Sequence, residues 1–272
     1  MSLQGKTLFI TGASRGIGRE IALRAARDGA NIVIAAKSAQ AHAKLPGTIH
    51  SVAAEVEAAG GKALALQLDV RDEDAVKAAM AKAFEHFGSI DALINNAGAI
   101  KLMGVEHLPP KRFDLMFQIN TRAVMACSQA ALPYLKQSKG HILSLSPPIN
   151  LDPKWFANYG PYTTTKYGMS MLTLGMHEEF KKYGISVNSL WPKTVIATAA
   201  IEFEAGGPAV MKAARLPAIM ADAAYTILAS TERSISGRLL IDEEILREQG
   251  QSDFEQYHYD PAGKLMTDLF VD

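Results

Sequence analysis

Tyr162 and Lys166 stand four residues apart in the run Tyr162-Thr163-Thr164-Thr165-Lys166. On a helix this spacing puts a phenol and an ammonium on one face, about one turn apart. A free phenol keeps its proton to about pH 10, and a neighbouring cation favours the phenolate, so the pair reads as an acid tuned towards neutrality. Such a group can give a proton to an oxygen and take it back. The same spacing also occurs on solvated helix faces where it does no chemistry, so its meaning depends on what the rest of the chain brings to it.

A second group of residues binds rather than reacts. Thr11-Gly12-Ala13-Ser14-Arg15-Gly16-Ile17-Gly18 follows the apolar run Thr7 to Ile10 and opens a helical stretch. There Gly12 allows a tight turn, Gly16 lets backbone approach a phosphate and Gly18 lets the helix pack closely on a sheet. Amides at that helix start can hold a pyrophosphate. No Gly-Lys-Ser/Thr follows, so the pattern points to a dinucleotide rather than to phosphoryl transfer. An acid about 20 residues further on would select NAD by bonding the adenine ribose. That place holds Ala35, Ala36 and Lys37, and no Asp or Glu occurs from Gly29 through Ala54. Lys37 and Arg15 instead offer positive charge to a ribose 2′-phosphate, so the expected cofactor is NADP, with NADPH preferred over NADH. Asp69 and Val70 are placed to receive the adenine, whereas Asp72 reads as a helix cap.

These residues need a frame, and the chain alternates short apolar runs with helical periodicity. Strands are expected at Thr7 to Ile10, Asn31 to Ala35, Ala63 to Gln67, Ala92 to Asn95, His141 to Leu145, Ser186 to Leu190 and Arg238 to Ile241. Helices are expected at Arg19 to Arg27, Ser51 to Ala58, Asp74 to Phe87, Arg112 to Lys136, Tyr159 to Tyr183 and Ala221 to Ala229. Strands that are apolar throughout are covered on both faces, which implies a parallel sheet between helices. The expected fold class is α/β: a single doubly wound Rossmann domain with a mostly parallel seven-stranded sheet flanked by helices. Residues 1–248 form the dinucleotide-binding catalytic domain, with 195–217 as its substrate-loop region and 38–47 as a further loop. Residues 249–272 form a tail packed on its own or a partner subunit.

Composition narrows the function classes. The 272 residues are 48% hydrophobic and carry 28 basic and 28 acidic side chains, a balance that argues against a nucleic-acid partner. The apolar runs fall short of the roughly 20 residues a membrane span needs. The first strand starts too near Met1 for a signal peptide to precede it, so a cytoplasmic location is expected. The lone Cys127 reads as a small buried hydrophobe. The seven histidines show no metal-ligand spacing, and no metal site is implied.

Together these motifs resemble the short-chain dehydrogenase/reductase superfamily, classical type. Thr11 to Gly18 resembles its glycine motif, Asp69 its adenine-contacting acid, Asn95-Asn96-Ala97-Gly98 its N-N-A-G, and Tyr162 with Lys166 its Y-x-x-x-K. Asn120 resembles the asparagine of its catalytic tetrad, and Pro192 to Thr198 the segment that flanks the nicotinamide. Within the superfamily, Ala35-Ala36-Lys37, Lys44 to Ile49, Ser146-Pro147-Pro148, Trp191 to Thr194 and Ala221 to Tyr225 are similar to the dehydrogenase domain of the hydroxysteroid dehydrogenase-like type 2 group. The sterol-carrier domain that some of that group carry has no counterpart in this sequence. The resemblance implies that Tyr162 exchanges a proton with the substrate oxygen, that Lys166 binds the nicotinamide ribose and that Asn120 holds a relay water. Pro192, Val195 and Thr198 would lie at the nicotinamide end.

The resemblance breaks at the serine that polarises the carbonyl. Its usual place falls on Pro147, which has no hydroxyl and no amide hydrogen. Either the rigid Pro147-Pro148 turn displaces Ser146 into the site, the reading preferred here, or no serine takes part. Lys193 replaces the usual glycine and is expected to reach a substrate carboxylate or a phosphate. Ile149, Leu151, Trp155, Phe156, Tyr159, Val195 and parts of Ile201 to Leu216 are expected to wall an apolar pocket for a carbonyl or alcohol substrate, while Trp155 and Phe156 fit equally a cover for the sheet edge or a subunit contact. The two long helices carry more apolar surface than one sheet covers, so a homodimer or homotetramer is expected.

Overall fold

The computed structural model describes residues 2–42, 45–204, 206–230 and 235–272. Lys44, within the expected loop, therefore lies outside the described residues, as does residue 205 of the 195–217 region.

The apolar runs form seven strands: β1 (Thr7–Thr11), β2 (Asn31–Ala36), β3 (Lys62–Gln67), β4 (Ala92–Asn95), β5 (His141–Ser144), β6 (Ser186–Trp191) and β7 (Leu239–Ile241). They make one sheet in the order β3-β2-β1-β4-β5-β6-β7, and every pairing in it is parallel. β1, β4 and β6 are buried along their whole length, which explains why their sequences do not alternate. The helices are α1 (Gly16–Ala26), α2 (Ile49–Ala58), α3 (Glu73–Phe87), α4 (Pro110–Phe117), α5 (Ala123–Ser138), α6 (Lys154–Ala157), α7 (Gly160–Phe180), α8 (Ala199–Glu204), α9 (Gly207–Lys212), α10 (Ala218–Ala229) and α11 (Asp242–Glu248).

Alternate residues of each strand feed two core layers. Ile10, Ile34 and Ile94 pack with α1 and α10, while Phe9, Val33 and Leu93 pack with α3, α5 and α7. Cys127 sits in the second layer, where burial pushes its thiol up to about 12 and leaves it inert. Asp72 caps α3 by accepting from the amides of Asp74 and Ala75, as its position before the helix implied. No helix of the described residues is long and apolar enough to cross a membrane. The strand order reverses between β1 and β4, and a doubly wound sheet opens a ligand crevice at the carboxyl ends of the strands at such a point.

Besides α6 and α11, for which no helix was expected, two regions depart from the sequence reading. The helix expected from Arg112 to Lys136 is interrupted by a π-turn over Gln118–Arg122 that holds Asn120. One extra residue in a turn rotates the side chains that follow, and apolar periodicity carries no mark of it. The 195–217 region, read as a loop, contains α8 and α9. Both are too short for helical periodicity to register.

Beyond α11 the chain returns over the carboxyl ends of the strands. The amides of Tyr259 and Met266 donate to Ala214 and Ala213 at 3.0 and 2.9 Å, and Asp268 N donates to Lys193 O at 3.0 Å. Phe270 ends this run as the centre of a third apolar cluster, 1% exposed. Its ring lies 5.3 to 6.3 Å from those of Trp155, Tyr162, Tyr167 and Trp191. Four aromatic neighbours hold it in a left-handed backbone conformation, φ 72°, that such a residue seldom adopts. Phe270→Ala is expected to cost about 3–5 kcal/mol of stability, measured by denaturant unfolding.

Candidate active site

The site is built from the loops that follow β1, β4, β5 and β6. Gly12 takes φ +67°, and a Cβ there would come within 2.8 Å of Ala97 Cα, so the loops after β1 and β4 meet backbone to backbone. Asn96 clasps them: its Nδ2 donates to Thr11 O and Gly12 O at 2.8 and 3.0 Å. Thr11 Oγ1 completes the clasp by accepting from the amides of Asn96 and Ala97, each at 3.0 Å. Gly18 was expected to ease helix against sheet. Its Cβ would instead strike the Asn96 amide and lie 3.0 Å from Gly12 O, so Gly18 makes room for the clasp. Ser14 is buried beneath this loop. α1 begins with no side-chain cap, which leaves its first amides for an anion, and Gly16 and Ile17 at that end line a cavity.

The cations at the far end have partners. Arg15 donates to Pro46 O at 2.8 Å, Gly47 O at 3.0 Å and Ser38 Oγ at 3.2 Å, so among the described residues its hydrogen bonds go to neutral oxygens. Asp69 is held by Arg71 through both carboxylate oxygens, and Lys37 Nζ lies 3.4 Å from it. Hydrogen bonds from Arg71 keep Asp69 far below the ordinary carboxylate range despite partial burial. Val70 is buried beside it.

The cavity, of about 350 Å³, runs from Arg15, Gly16 and Asn96 past Gly98 to Tyr162 and Lys166, with Pro192, Val195 and Thr198 along one side. Tyr162 and Lys166 lie one turn apart on α7, both buried. The expected tuning runs the other way in this arrangement. Burial and then Asp268 push the phenol up, and burial brings the ammonium down to about 8. Lys166 Nζ donates to Leu145 O at 2.8 Å. Asn120 Oδ1 accepts from Ala99 N at 2.8 Å, and its Nδ2 donates to Ala99 O and Thr165 Oγ1 at 2.9 and 3.0 Å. Both amide hydrogens are thus used to tie the segment after β4 to α7 next to Lys166. Ser146 is fully buried, its Oγ has no hydrogen-bond partner among the described residues, and it is not part of the cavity wall.

Other expectations need correction. Trp155 lies behind Phe270 in the third cluster, Leu151 is 73% exposed, and neither Phe156, Ile149 nor Tyr159 reaches the cavity. Val195, Ile201 and Val210 line it as expected, and Ile100, Leu102, Leu145 and Met220 supply the rest of the apolar wall. Lys193 turns from the cavity to Glu243, at 3.1 Å. Burial alone would raise Glu243, but hydrogen bonds from Arg215, Arg247 and Lys193 hold it at about 2. Met266, Thr267, Asp268 and Leu269 of the tail also line the cavity. Their spaced aromatic neighbours signalled only that the tail packs somewhere.

The short chain dehydrogenase family profile matches residues 6–205, with the glycine cradle, Asn120, Tyr162 and Lys166 all inside the match. The chain belongs to that family. Its closer likeness is to hydroxysteroid dehydrogenase-like protein 2 of Xenopus tropicalis, 56% identical over 99% of this chain and 64% of the relative. The chain therefore spans less than two thirds of that relative's length. A short chain dehydrogenase from Mycobacterium thermoresistibile is 50% identical, with a TM-score of 0.93 over 100% of this chain and 96% of the other. A 7α-hydroxysteroid dehydrogenase solved with NADH and 7-oxo glycochenodeoxycholic acid is 27% identical, with a TM-score of 0.76 over 88% and 93%. The short-chain dehydrogenase fold binds nicotinamide cofactors. This chain's uncapped α1 amides, and a cradle that a Cβ would fill, fit such a dinucleotide.

Two predictions follow from the buried groups. Lys166 has a depressed folded pKa, so its burial costs stability below about 8, and that cost fades as pH rises to the ordinary 10.5. Lys166→Met should raise stability by about 2 kcal/mol at neutral pH, with a smaller gain above pH 9, in urea melts across pH. Ser146→Ala should change kcat/KM by less than about threefold, against about a hundredfold for a lost oxyanion donor.

Proposed function

We propose that the chain is an NADP(H)-dependent oxidoreductase that interconverts a ketone or aldehyde with an alcohol on a medium to large apolar substrate. The observation that carries this reading is the continuity of one cavity from the phosphate cradle to Tyr162 and Lys166. Its volume suits a small-molecule site, and its wall is largely aliphatic around few polar groups.

Gly12, Ser14, Gly16, Ile17 and Gly18 shape the pyrophosphate cradle, and Asn96, Ala97 and Gly98 back it. Lys37 and Arg15 would face the 2′-phosphate, and Asp69 with Val70 would meet the adenine. Pro192, Val195 and Thr198 would hold the carboxamide end. When bound, the nicotinamide supplies or accepts a hydride. The chain's own part is proton transfer and exclusion of water. Tyr162, held neutral by burial, gives its proton to the substrate oxygen in reduction. Lys166 then stabilises the phenolate and would bind the nicotinamide ribose. Asn120 keeps the cavity wall at Ala99 fixed against α7. The exposed Met125 on α5 and Met171 and Leu174 on α7 support association into a homodimer or homotetramer, and a cytoplasmic location belongs to the same reading.

Tyr162→Phe is expected to lower turnover of ketones about a thousandfold while NADPH still binds, as judged by fluorescence titration. Lys37→Glu should weaken NADPH about tenfold and leave NADH nearly unchanged. Equal affinity of the native protein for both cofactors would overturn the NADP assignment. One observation favours a second reading, a catalytically impaired NADP(H)-binding regulatory or structural protein: Ser146 Oγ is absent from the cavity wall. That reading requires NADPH binding with no turnover across a broad ketone panel.

A further inference from the structure

The tail brings a carboxyl group into the cavity from whose wall Ser146 is absent. Asp268 lines the same cavity as Tyr162 and Lys166. One of its oxygens, Oδ1, accepts from Leu269 N at 2.7 Å, and no hydrogen bond to Oδ2 is found among the described residues. The backbone around it is fixed on three sides. Asp268 N donates to Lys193 O at 3.0 Å, Thr267 bridges to Thr194, and Trp191 Nε1 donates to Leu269 O at 2.8 Å. Two residues on, the Phe270 ring lies near-parallel to that of Tyr162, 6.3 Å away. A carboxyl so held lines one cavity with the phenol.

We propose that Asp268, in its protonated form, is the second hydrogen-bond donor to the substrate oxygen beside Tyr162, taking the place of the missing serine hydroxyl. This rests on the oxidoreductase reading above. The substrate oxygen takes its proton from Tyr162, while the Asp268 proton stays on the carboxyl and only stabilises the developing charge. The surroundings make that form available near neutrality. Burial raises Asp268 to about 7; Asp242 on α11 adds to the rise, and the Leu269 amide and Lys166 on α7 oppose it. Asp242 is itself raised by burial to about 6. Lys193, Arg215 and Arg247, the other cations on this side, all pair with Glu243, and Arg215 also acts on Asp242.

The test is steady-state reduction of a neutral ketone by NADPH across pH 5 to 9, with NADPH titration of each variant as the control for folding. Asp268→Ala should lower kcat/KM about a hundredfold with NADPH affinity unchanged. Asp268→Asn keeps a donor and removes the titration. It should hold kcat/KM within about fivefold of native, and the decline that native protein shows as pH rises through 7 should vanish, leaving only the Lys166 limb near 8. An Asp268→Ala protein as active as native would overturn the proposal. So would an Asp268→Asn protein as impaired as Asp268→Ala, since that pattern belongs to a carboxylate acting by charge. Failure of native protein to reduce any ketone would instead sink the oxidoreductase reading.

Discussion

The site depends on one amide. Asn96 Nδ2 reaches the carbonyls of Thr11 and Gly12 and closes the loop after β1 on the loop after β4. These are the strands at which the sheet order reverses, so without the clasp the crevice would be a gap between two independent loops. Each neighbour is shaped to admit that amide: Gly12 by its positive φ, Gly18 by its missing side chain and Thr11 by a hydroxyl that serves two amides and a carbonyl. The uncapped start of α1 is then aimed along the floor of the crevice.

A second constraint opposes the first in character. The cradle end is polar and open to charge, whereas Tyr162 is packed among rings. Phe270, Trp191, Trp155 and Tyr167 wrap the α7 face that carries Tyr162. Enclosure removes water, and it disfavours every charged form: phenolate at Tyr162, ammonium at Lys166 and carboxylate at Asp268. The stability given up at these groups is what brings an amine and a carboxyl into the range where protons exchange near neutrality.

The fold and the cradle were legible because each rests on a local signal. Apolar runs mark buried strands, and Gly12, Gly16 and Gly18 stand where only glycine suits the backbone or the space. Tyr162 and Lys166 were legible through a spacing that a helix turns into adjacency. The rest depended on contacts distant in sequence. Nothing near Lys193 announces that Glu243 will draw it from the cavity, and nothing near Trp155 announces that Phe270 will stand in front of it. The π-turn at Asn120 inserts a single residue, which periodicity averages away. Asp268 lies outside residues 6–205, so neither a family motif nor a local pattern pointed to it.

The bridge from Thr194 to Thr267 has a further consequence. The cradle is closed by residues near the start of the chain, and the substrate end by residues near the last position described. Each doubling of a loop adds little to its closure entropy, but such distant contacts form after local ones. The dinucleotide half can therefore take shape during folding before the pocket that faces it has a roof. The two ends also answer to separate stretches of sequence. On the proposed reading, substitutions along 258–272 would reshape what the pocket admits while the clasp at Asn96 stays as it is, so this fold would change its substrate without relearning its cofactor.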